Sequence, residues 1–311
     1  MSESKAIIQP QYIVPVNING LKGRMLKVPA SGKMKREIIF VYGHHASLER
    51  VYGFAEFLRS YGNVLVPDLP GFGGMDSYYK IHEKPTLDNL ADYLASIVKL
   101  RARKRKLTLI GFSFGFTVIT RMLQRNPNLA GNADLLVSIG GFSHKSDMRY
   151  TLARKQVYSV TTRMLSHKAA SIFFRNIALH PYVIKKFYAR TYNAKSKLAG
   201  LNPEELQNAL EFEVGLWRIN EPRTHMKTTN IMLNIDNLRP KIDLDLWHVY
   251  TNKDRYIDHK IAVNNLKKIF RHVNAVRIKS ANHSPSILST KKEAAVFFPT
   301  RLKKTLAKMQ T

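Results

Sequence analysis

The stretch Lys106-Leu107-Thr108-Leu109-Ile110-Gly111-Phe112-Ser113-Phe114-Gly115 decides the fold of this chain. Its first half is an apolar run of strand length, and its second half matches the pattern G-x-S-x-G. A helical pattern follows to about Gln124. Glycines on both sides of a serine permit a strand-to-helix turn that is too tight for side chains, and the serine lies at its tip. The pattern favours a nucleophilic Ser113, although a serine in an ordinary structural turn would also fit.

Strands and helices alternate on both sides of this turn. Apolar runs predict strands at 12–16, 25–28, 37–42, 64–66, 106–110, 135–139, 246–250 and 275–278. Helical spacing predicts helices at 48–58, after the N-cap Thr86, at 258–272 and at 290–308, with a kink at Pro299. Short connections between such elements predict an α/β fold, a mostly parallel central sheet flanked by helices on both faces.

The alternation stops between the predicted strands 135–139 and 246–250. Residues 143–237 carry mainly helical patterns and no convincing strand. We therefore predict a core of residues 1–142 and 238–311, split by a helical insertion at 143–237. An insertion of this kind between two sheet strands commonly forms a lid, or cap.

A serine nucleophile needs a general base and an acid that orients it, and two later loops supply candidates. His283 follows the last predicted strand, and Asp254 follows the strand before it. Active sites of α/β sheets lie at the carboxyl ends of the strands, where both loops begin. Asp258 is a rival acid but is better placed as a helix N-cap, and Asp147 is a more distant alternative. The order serine, acid, histidine is that of α/β-hydrolases and differs from the two main serine protease orders.

With these residues in place, the chain resembles the α/β-hydrolase superfamily, in particular its lid-bearing serine esterases. The segment 41–45, Val-Tyr-Gly-His-His, looks like the family's His-Gly oxyanion loop, with Tyr42 in place of the usual histidine. The segment 66–73 resembles the D-x-P-G-x-G loop, and 251–257 resembles G-x-x-D-x-x-V with Thr251 at the glycine position. The resemblance implies an oxyanion hole made by the backbone N–H groups of Phe114 and His44.

The resemblance further implies cleavage of carboxylic esters through a Ser-His-Asp triad and an acyl-enzyme. Short-to-medium acyl esters and lactones are the expected small-molecule substrates, while thioesters, amides and C–C bonds stay open. The pair His44-His45 lacks the spacing of a metal site, so we expect no metal and no cofactor. Phenylalanines at 112, 114 and 116 and aromatic residues in the insertion favour an apolar pocket, although aromatic residues are also ordinary core residues.

The composition of the chain excludes several classes of site and structure. The chain has 311 residues, no cysteine, and a formal net charge of +28. Without cysteine there can be no disulfide, thiol nucleophile or cysteine-ligated metal, and such a chain suits a reducing cytoplasm. The longest apolar runs are too short to span a membrane, and residues 1–10 do not look like a signal peptide.

The positive charge is concentrated in the insertion. Residues 141–200 contain 12 Lys and Arg and one acid, Asp147. One interpretation is an amphipathic cap with apolar residues over the active site and solvated charges outside. The other is a surface that attracts anionic membrane, nucleic acid or substrate. No nucleic-acid motif is present, and the oligomeric state is left open. The alternative function is a non-catalytic hydrolase-like scaffold that binds anionic membrane or nucleic acid through this insertion.

Overall fold

The described part of the chain forms one sheet of eight strands. A computed structural model describes residues 8–33, 36–101, 107–190, 202–280, 283 and 289–309. The strands, in the spatial order β1-β2-β4-β3-β5-β6-β7-β8, are β1 Ile13–Ile18, β2 Leu21–Val28, β3 Glu37–Val41, β4 Asn63–Pro67, β5 Leu107–Phe112, β6 Ala133–Ile139, β7 Leu246–Tyr250 and β8 Val273–Arg277. All eight predicted strands are present, with ends that differ by a few residues.

The sheet is parallel from β4 to β8 and antiparallel at its β1–β2 edge. Strand β2 pairs antiparallel with both β1 and β4, whereas β3, β5, β6 and β7 pair in parallel with their neighbours. Every residue of β3 and β5 is buried, as continuous apolar runs in a sheet covered on both faces require. The predicted fold class, a mostly parallel sheet flanked by helices, is therefore confirmed.

Helices connect the strands. Outside the insertion they are α1 Leu48–Leu58, α2 Leu87–Arg101, α3 Phe114–Arg125, α4 Pro127–Asn132, α10 His259–Ile269, α11 Lys291–Val296 and α12 Thr300–Lys308. The prediction of a single final helix with a kink at Pro299 was wrong in one respect. Helices α11 and α12 are separate, and Pro299 is the N-cap of α12. A proline without an N–H group ends the first helix more completely than a kink would. The helix predicted at 258–272 ends at Ile269, and Asp258 caps it as expected.

Five helices of the described residues lie between β6 and β7. They are α5 Leu152–Leu165, α6 Lys168–Ile177, α7 Pro181–Arg190, α8 Pro203–Ile219 and α9 Pro222–Asn234. No strand of the sheet occurs among the described residues of 143–237. We call residues 143–237 the helical insertion. Residues 191–201, which carry the end of its basic stretch, lie outside the described residues.

Helix α5 does not turn its apolar side chains towards the rest of the protein, as an amphipathic cap would. Its contacts with α9 are polar, since the Asn230 side-chain amide donates to the Ser159 carbonyl at 2.8 Å and the Asn234 amide donates to the Ser159 hydroxyl at 3.0 Å. Its large apolar side chains instead point outward, and Leu152 and Val160 are 73% and 67% exposed. Apolar periodicity alone predicts the opposite arrangement.

Among the described residues, no helix combines the length and the hydropathy that a membrane crossing would need.

Candidate active site

Ser113 lies at a strained turn between β5 and α3. Its backbone φ of 49° is in the left-handed region, which non-glycine residues rarely adopt. A side chain at Gly111 would collide with the backbone of Phe116, and one at Gly115 would collide with the carbonyl oxygens that end β3. The two glycines thus allow α3 to start directly at the strand end, and Ser113 takes the strained position.

The structure brings Ser113, His283 and Asp254 together from three loops. His283 Nε2 lies 3.0 Å from Ser113 Oγ, and His283 Nδ1 lies 2.5 Å from Asp254 Oδ2. The loops follow β5, β8 and β7, so all three side chains meet at the carboxyl edge of the parallel strands. In this arrangement the imidazole can accept the serine proton at Nε2 while its Nδ1–H donates to the carboxylate.

The Asp254 carboxylate is buried and heavily hydrogen-bonded. Its Oδ1 accepts the backbone N–H groups of Tyr256 at 2.9 Å and Ile257 at 3.0 Å. Its Oδ2 accepts from His283 and also from His259 Nε2, at 2.7 Å. Burial by itself would raise the pKa of Asp254, but the hydrogen bonds from His259 and His283 hold it well below its usual range. The group is therefore an ionised acceptor at neutral pH.

The two rival acids have structural roles. The Asp258 carboxylate accepts the backbone N–H groups of Lys260 and Ile261 and so caps α10. Asp147 is fully buried, and its carboxylate accepts from the Asn265 amide at 2.6 Å and from the Ser143 backbone N–H at 2.8 Å. Their hydrogen bonds hold the start of α10 and the loop after β6 in place.

The two expected oxyanion-hole residues flank Ser113. Phe114 is the first residue of α3, where backbone N–H groups lack helical partners. His44 follows Gly43, and a Cβ atom at Gly43 would lie 3.2 Å from Ser113 Cβ. The His44 ring is anchored to α9, with Nε2 2.9 Å from Thr228 Oγ1. Burial lowers the pKa of His44 to about 4, so its ring is neutral.

Tyr42, which replaces the expected histidine, anchors the loop after β4. Its hydroxyl donates to Asp68 Oδ1 at 2.8 Å and accepts the backbone N–H of Leu69 at 2.9 Å. The other Asp68 oxygen accepts from Arg24 Nε at 2.9 Å, and the Arg24 guanidinium binds both carboxylate oxygens of Glu49. Burial raises the pKa of Asp68 to about 6, against the opposite effect of Arg24. This network links β2, β3 and α1 directly behind the loop that carries His44.

A cavity of about 400 Å³ opens at Ser113 and His283. Most of its wall is apolar or aromatic: Ala46, Val51, Phe54, Phe112, Phe142, Met148, Met232, Leu233, Ile257, Tyr150, Tyr158 and Tyr256. Helices α5 and α9 of the helical insertion contribute Tyr158, Met232 and Leu233. Three phenylalanines lie at or near the turn that carries Ser113. Phe112 lines the cavity, whereas Phe114 and Phe116 are fully buried core residues. The volume suits a small ligand with an apolar part.

Polar groups occupy one side of this cavity. Arg50 forms an ion pair with Glu213 of α8, which is 1% exposed, and donates to the His45 carbonyl at 2.7 Å. His225 of α9 also lines the cavity, and its Nδ1 has no hydrogen-bond partner among the described residues. Burial lowers the pKa of His225, so this ring is neutral.

Comparison with known proteins identifies the fold. No family model and no curated protein sequence matches the chain. Solved structures do match along nearly the whole chain. An enol-lactonase from Burkholderia xenovorans LB400 aligns with a TM-score of 0.65 at 10% identity, over 95% of this chain and 100% of that one. The chain has the α/β-hydrolase fold.

Two further α/β-hydrolase-like matches agree. A thermophilic esterase from Thermogutta terrifontis aligns with a TM-score of 0.60 at 15% identity, over 96% of this chain and 99% of that one. A membrane phospholipase A, described as a bacterial virulence factor, aligns with a TM-score of 0.66 at 16% identity, over 95% of this chain and 86% of that one.

Sequence reasoning missed several residues of this candidate site. His259 contacts the same carboxylate oxygen as His283, although in the sequence it only follows a helix cap. Arg50, Glu213 and His225 come from distant segments, and no local pattern joins them. Among the described residues, no group of three or more His, Cys, Asp and Glu side chains is arranged to hold a metal ion.

Proposed function

We propose that the protein is a serine hydrolase that cleaves carboxylic esters by acyl transfer. The observation that carries the proposal is the continuous hydrogen-bonded array of Ser113 Oγ, His283 and Asp254, with distances of 3.0 and 2.5 Å. These residue types, in this order and on this fold, are a nucleophile, a general base and the acid that orients the base.

The proposed reaction has two halves. His283 Nε2 takes the hydroxyl proton as Ser113 Oγ attacks the ester carbonyl, and the backbone N–H groups of His44 and Phe114 stabilise the oxyanion. His283 then protonates the leaving alcohol, and the acyl group stays on Ser113. A water molecule, deprotonated by His283, attacks the acyl-enzyme and releases the carboxylic acid. Asp254 holds the imidazole in the required tautomer throughout.

We expect short-to-medium acyl chains in the substrate. The cavity of about 400 Å³ has the size of a small-ligand pocket, and its mostly apolar wall can contact the acyl group of an ester. Lactones would fit the same chemistry, because opening a cyclic ester requires the same attack. A panel of p-nitrophenyl esters of graded chain length, with small lactones beside it, tests this range. We expect kcat/KM to peak at short-to-medium chains, and a steady rise to long chains would contradict the assignment.

Ser113→Ala tests the nucleophile. The variant should fold normally, lose turnover of p-nitrophenyl esters and lose labelling by a fluorophosphonate probe. Ser96→Ala on α2 is the matched control, since it removes a serine hydroxyl far from the triad. Unchanged ester turnover in Ser113→Ala would reject this assignment. Absence of labelling in the wild type would favour the alternative, a non-catalytic scaffold.

We also propose that the helical insertion docks on anionic lipid bilayers. Eleven of the 16 exposed large apolar side chains in the described residues lie on α5, α6 and α7. On α6 and α7, Phe173 and Phe187 are 65% and 61% exposed. Such side chains are favoured at the boundary between headgroups and acyl chains.

Charge complementarity selects the kind of surface. Exposed basic side chains accompany the apolar ones, among them Arg154, Arg163, Lys168, Arg175 and Lys186, and the described residues 148–187 contain no acid. Each basic side chain near an anionic membrane contributes about 1 kcal/mol of attraction. The mixture of exposed apolar and basic side chains favours a lipid surface over nucleic acid, which would not bind the apolar part.

Vesicle co-sedimentation tests the docking. We expect binding to phosphatidylserine vesicles that weakens with salt, and little binding to neutral vesicles. Arg163→Glu with Lys168→Glu should weaken binding, whereas Lys292→Glu with Lys304→Glu, which changes the net charge equally on α11 and α12, should not. If both double variants lost vesicle binding equally, net charge alone would explain the binding, and docking through the helical insertion would be rejected. A salt-dependent shift of duplex DNA without vesicle binding would favour nucleic acid instead.

A further inference from the structure

Behind Asp254 lies a row of three buried polar side chains that the proposed mechanism does not use. His259 is the first residue of α10, His248 is in the middle of β7, and Ser138 is its direct neighbour in β6. Their exposed fractions are 4%, 0% and 0%. Polar groups this deeply buried are costly unless each one is hydrogen-bonded.

These side chains form one hydrogen-bonded row that ends on the triad. His259 Nε2 lies 2.7 Å from Asp254 Oδ2, His248 Nε2 lies 3.2 Å from His259 Nδ1, and Ser138 Oγ lies 3.0 Å from His248 Nδ1. The row thus runs from Ser138 through two imidazoles to the oxygen that also accepts from His283.

A single set of neutral tautomers satisfies every atom of the row. The Ser138 hydroxyl donates to His248 Nδ1, His248 Nε2–H donates to His259 Nδ1, and His259 Nε2–H donates to Asp254. Burial lowers the pKa of His248 to about 3, with a smaller contribution from His259, so His248 is neutral at physiological pH. The row therefore presents one N–H donor to the carboxylate and leaves none of its ring nitrogens unpaired.

We propose that His259 is a positioning residue for the reaction, which shares Asp254 Oδ2 with His283 and thereby limits how strongly that carboxylate attracts the catalytic imidazole. This inference rests on the proposed function for its kinetic meaning. A carboxylate oxygen that accepts two N–H donors has less charge to offer to each of them. Removal of the His259 donor should strengthen the attraction between Asp254 and protonated His283, and so raise the pKa of His283.

Further aromatic, titratable and charged groups surround this array. Tyr250 packs its ring against those of His248 and His259, at centroid distances of 5.8 and 5.2 Å. The Tyr256 ring lies 5.6 Å from that of His283, and the Arg149 guanidinium lies 4.0 Å from Asp258. The segments next to the array also carry Asp147, Arg149, Tyr150, Lys253, Arg255, Asp258 and Lys260, and the elements that pack around it carry Asp134 on β6, Arg277 on β8, and Lys267 and Lys268 on α10. Among the described residues, His259 and His283 are the two side chains that donate to Asp254 Oδ2.

Two variants separate the contacts of His259. In His259→Gln, the side-chain nitrogen can reach the position of the imidazole Nε2 and keep the bond to Asp254. In His259→Asn, the shorter amide can accept from His248 but cannot reach Asp254. The Asn variant keeps the hydrogen bond from His248, so it should fold, and it loses the hydrogen bond to Asp254. Both variants lose the imidazole ring that packs on Tyr250, so their difference reports the contact with Asp254. His272→Asn, at an exposed histidine, is the matched control.

The readout is the titration of the His283 imidazole by NMR, together with the pH profile of kcat/KM. In His259→Asn we expect the pKa of His283 to rise by about 0.7 pH units, the equivalent of one hydrogen bond of ordinary strength. The acidic limb of the kcat/KM profile should move to higher pH by the same amount. In His259→Gln the His283 titration and the acidic limb of kcat/KM should both stay near their wild-type positions.

The titration also separates this inference from the proposed function. An unchanged His283 titration in His259→Asn overturns the inference, whatever the activity. Equal shifts in the Asn and Gln variants overturn it too, since they would reflect loss of the ring alone. If the wild type hydrolyses no ester, the proposed function fails, and the NMR titration still decides whether His259 acts on His283 through Asp254.

Discussion

Asp254→Asn is the substitution that tests the site most sharply, because the structure determines which way the new amide must face. Asp254 accepts four N–H donors, two on each oxygen. If the asparagine oxygen faced the histidines, its NH₂ group would face the backbone N–H groups of Tyr256 and Ile257. Two buried donors would then be unpaired, at a cost of about 1–3 kcal/mol each.

The opposite orientation avoids this cost. With the oxygen toward the backbone, the NH₂ group donates to His283 Nδ1 and His259 Nε2, and both rings change tautomer. His248 can follow, since it can donate to the Ser138 hydroxyl instead of accepting from it. We therefore expect this orientation of the amide to be lower in free energy than the other by about 2–6 kcal/mol. It leaves the proton of His283 on Nε2, facing Ser113, so the ring cannot act as a base.

The expected result is a loss of activity without a comparable loss of stability. The kcat for p-nitrophenyl butyrate should fall about 10⁴-fold, equivalent to about 5 kcal/mol, while the free energy of unfolding in urea changes by less than about 3 kcal/mol. Asp258→Asn is the matched control, because asparagine preserves the helix cap and kcat should stay within about twofold. If Asp254→Asn kept more than about 1% of the wild-type kcat, the role of Asp254 would be refuted.

Three further predictions concern stability. Burial lowers the pKa of His44 to about 4 and of His248 to about 3, whereas both have a pKa of 6.5 in the unfolded chain. Below pH 6.5 the unfolded chain therefore binds more protons than the folded one, and the free energy of unfolding falls as the pH drops from 6.5 towards these lower values. At pH 5 each histidine accounts for a loss of about 2 kcal/mol, and urea unfolding of His248→Gln should show a smaller difference between pH 7 and pH 5, by about that amount. Gly115→Ala should lower the unfolding free energy by about 3 kcal/mol because the methyl group meets the carbonyls that end β3, whereas Gly131→Ala has open space and should cost little; similar losses would contradict the clash. Glu213→Leu should cost about 3 kcal/mol in the same assay, because the Arg50 guanidinium, whose side chain is only 14% exposed, loses its carboxylate partner. A loss below about 1 kcal/mol would argue against a strong ion pair.

Much of the fold follows from local sequence signals. Strands β3 and β5 are short continuous apolar runs, and each is followed by a glycine-containing turn, so their position inside a covered parallel sheet could be predicted. The loops after β5, β7 and β8 supply a serine, aspartates and a histidine, the residue types that a catalytic triad needs. Because parallel strands align their carboxyl ends, the meeting of Ser113, Asp254 and His283 could be expected without knowledge of any contact.

The remaining features depend on contacts between distant segments. Ser138 and His248 face each other only because β6 pairs with β7 in one particular register, and no local pattern specifies that register. The orientation of α5 escapes prediction for a similar reason. Helical periodicity identifies an apolar face, but it does not say whether the neighbouring helix offers apolar or polar partners, and α9 offers Asn230 and Asn234.

The network behind Tyr42 gives the antiparallel edge of the sheet a part in the site. Arg24 lies on β2, far along the chain from Ser113, His283 and Asp254, yet its guanidinium holds Asp68, and Asp68 holds the Tyr42 hydroxyl two residues before His44. A chain shortened to begin at β3 would keep every residue of the proposed triad and both oxyanion donors. It would nevertheless leave a buried carboxylate without its cation at the base of the loop that carries His44. The first two strands therefore support the candidate site from outside, and a shortened form of the protein should retain them.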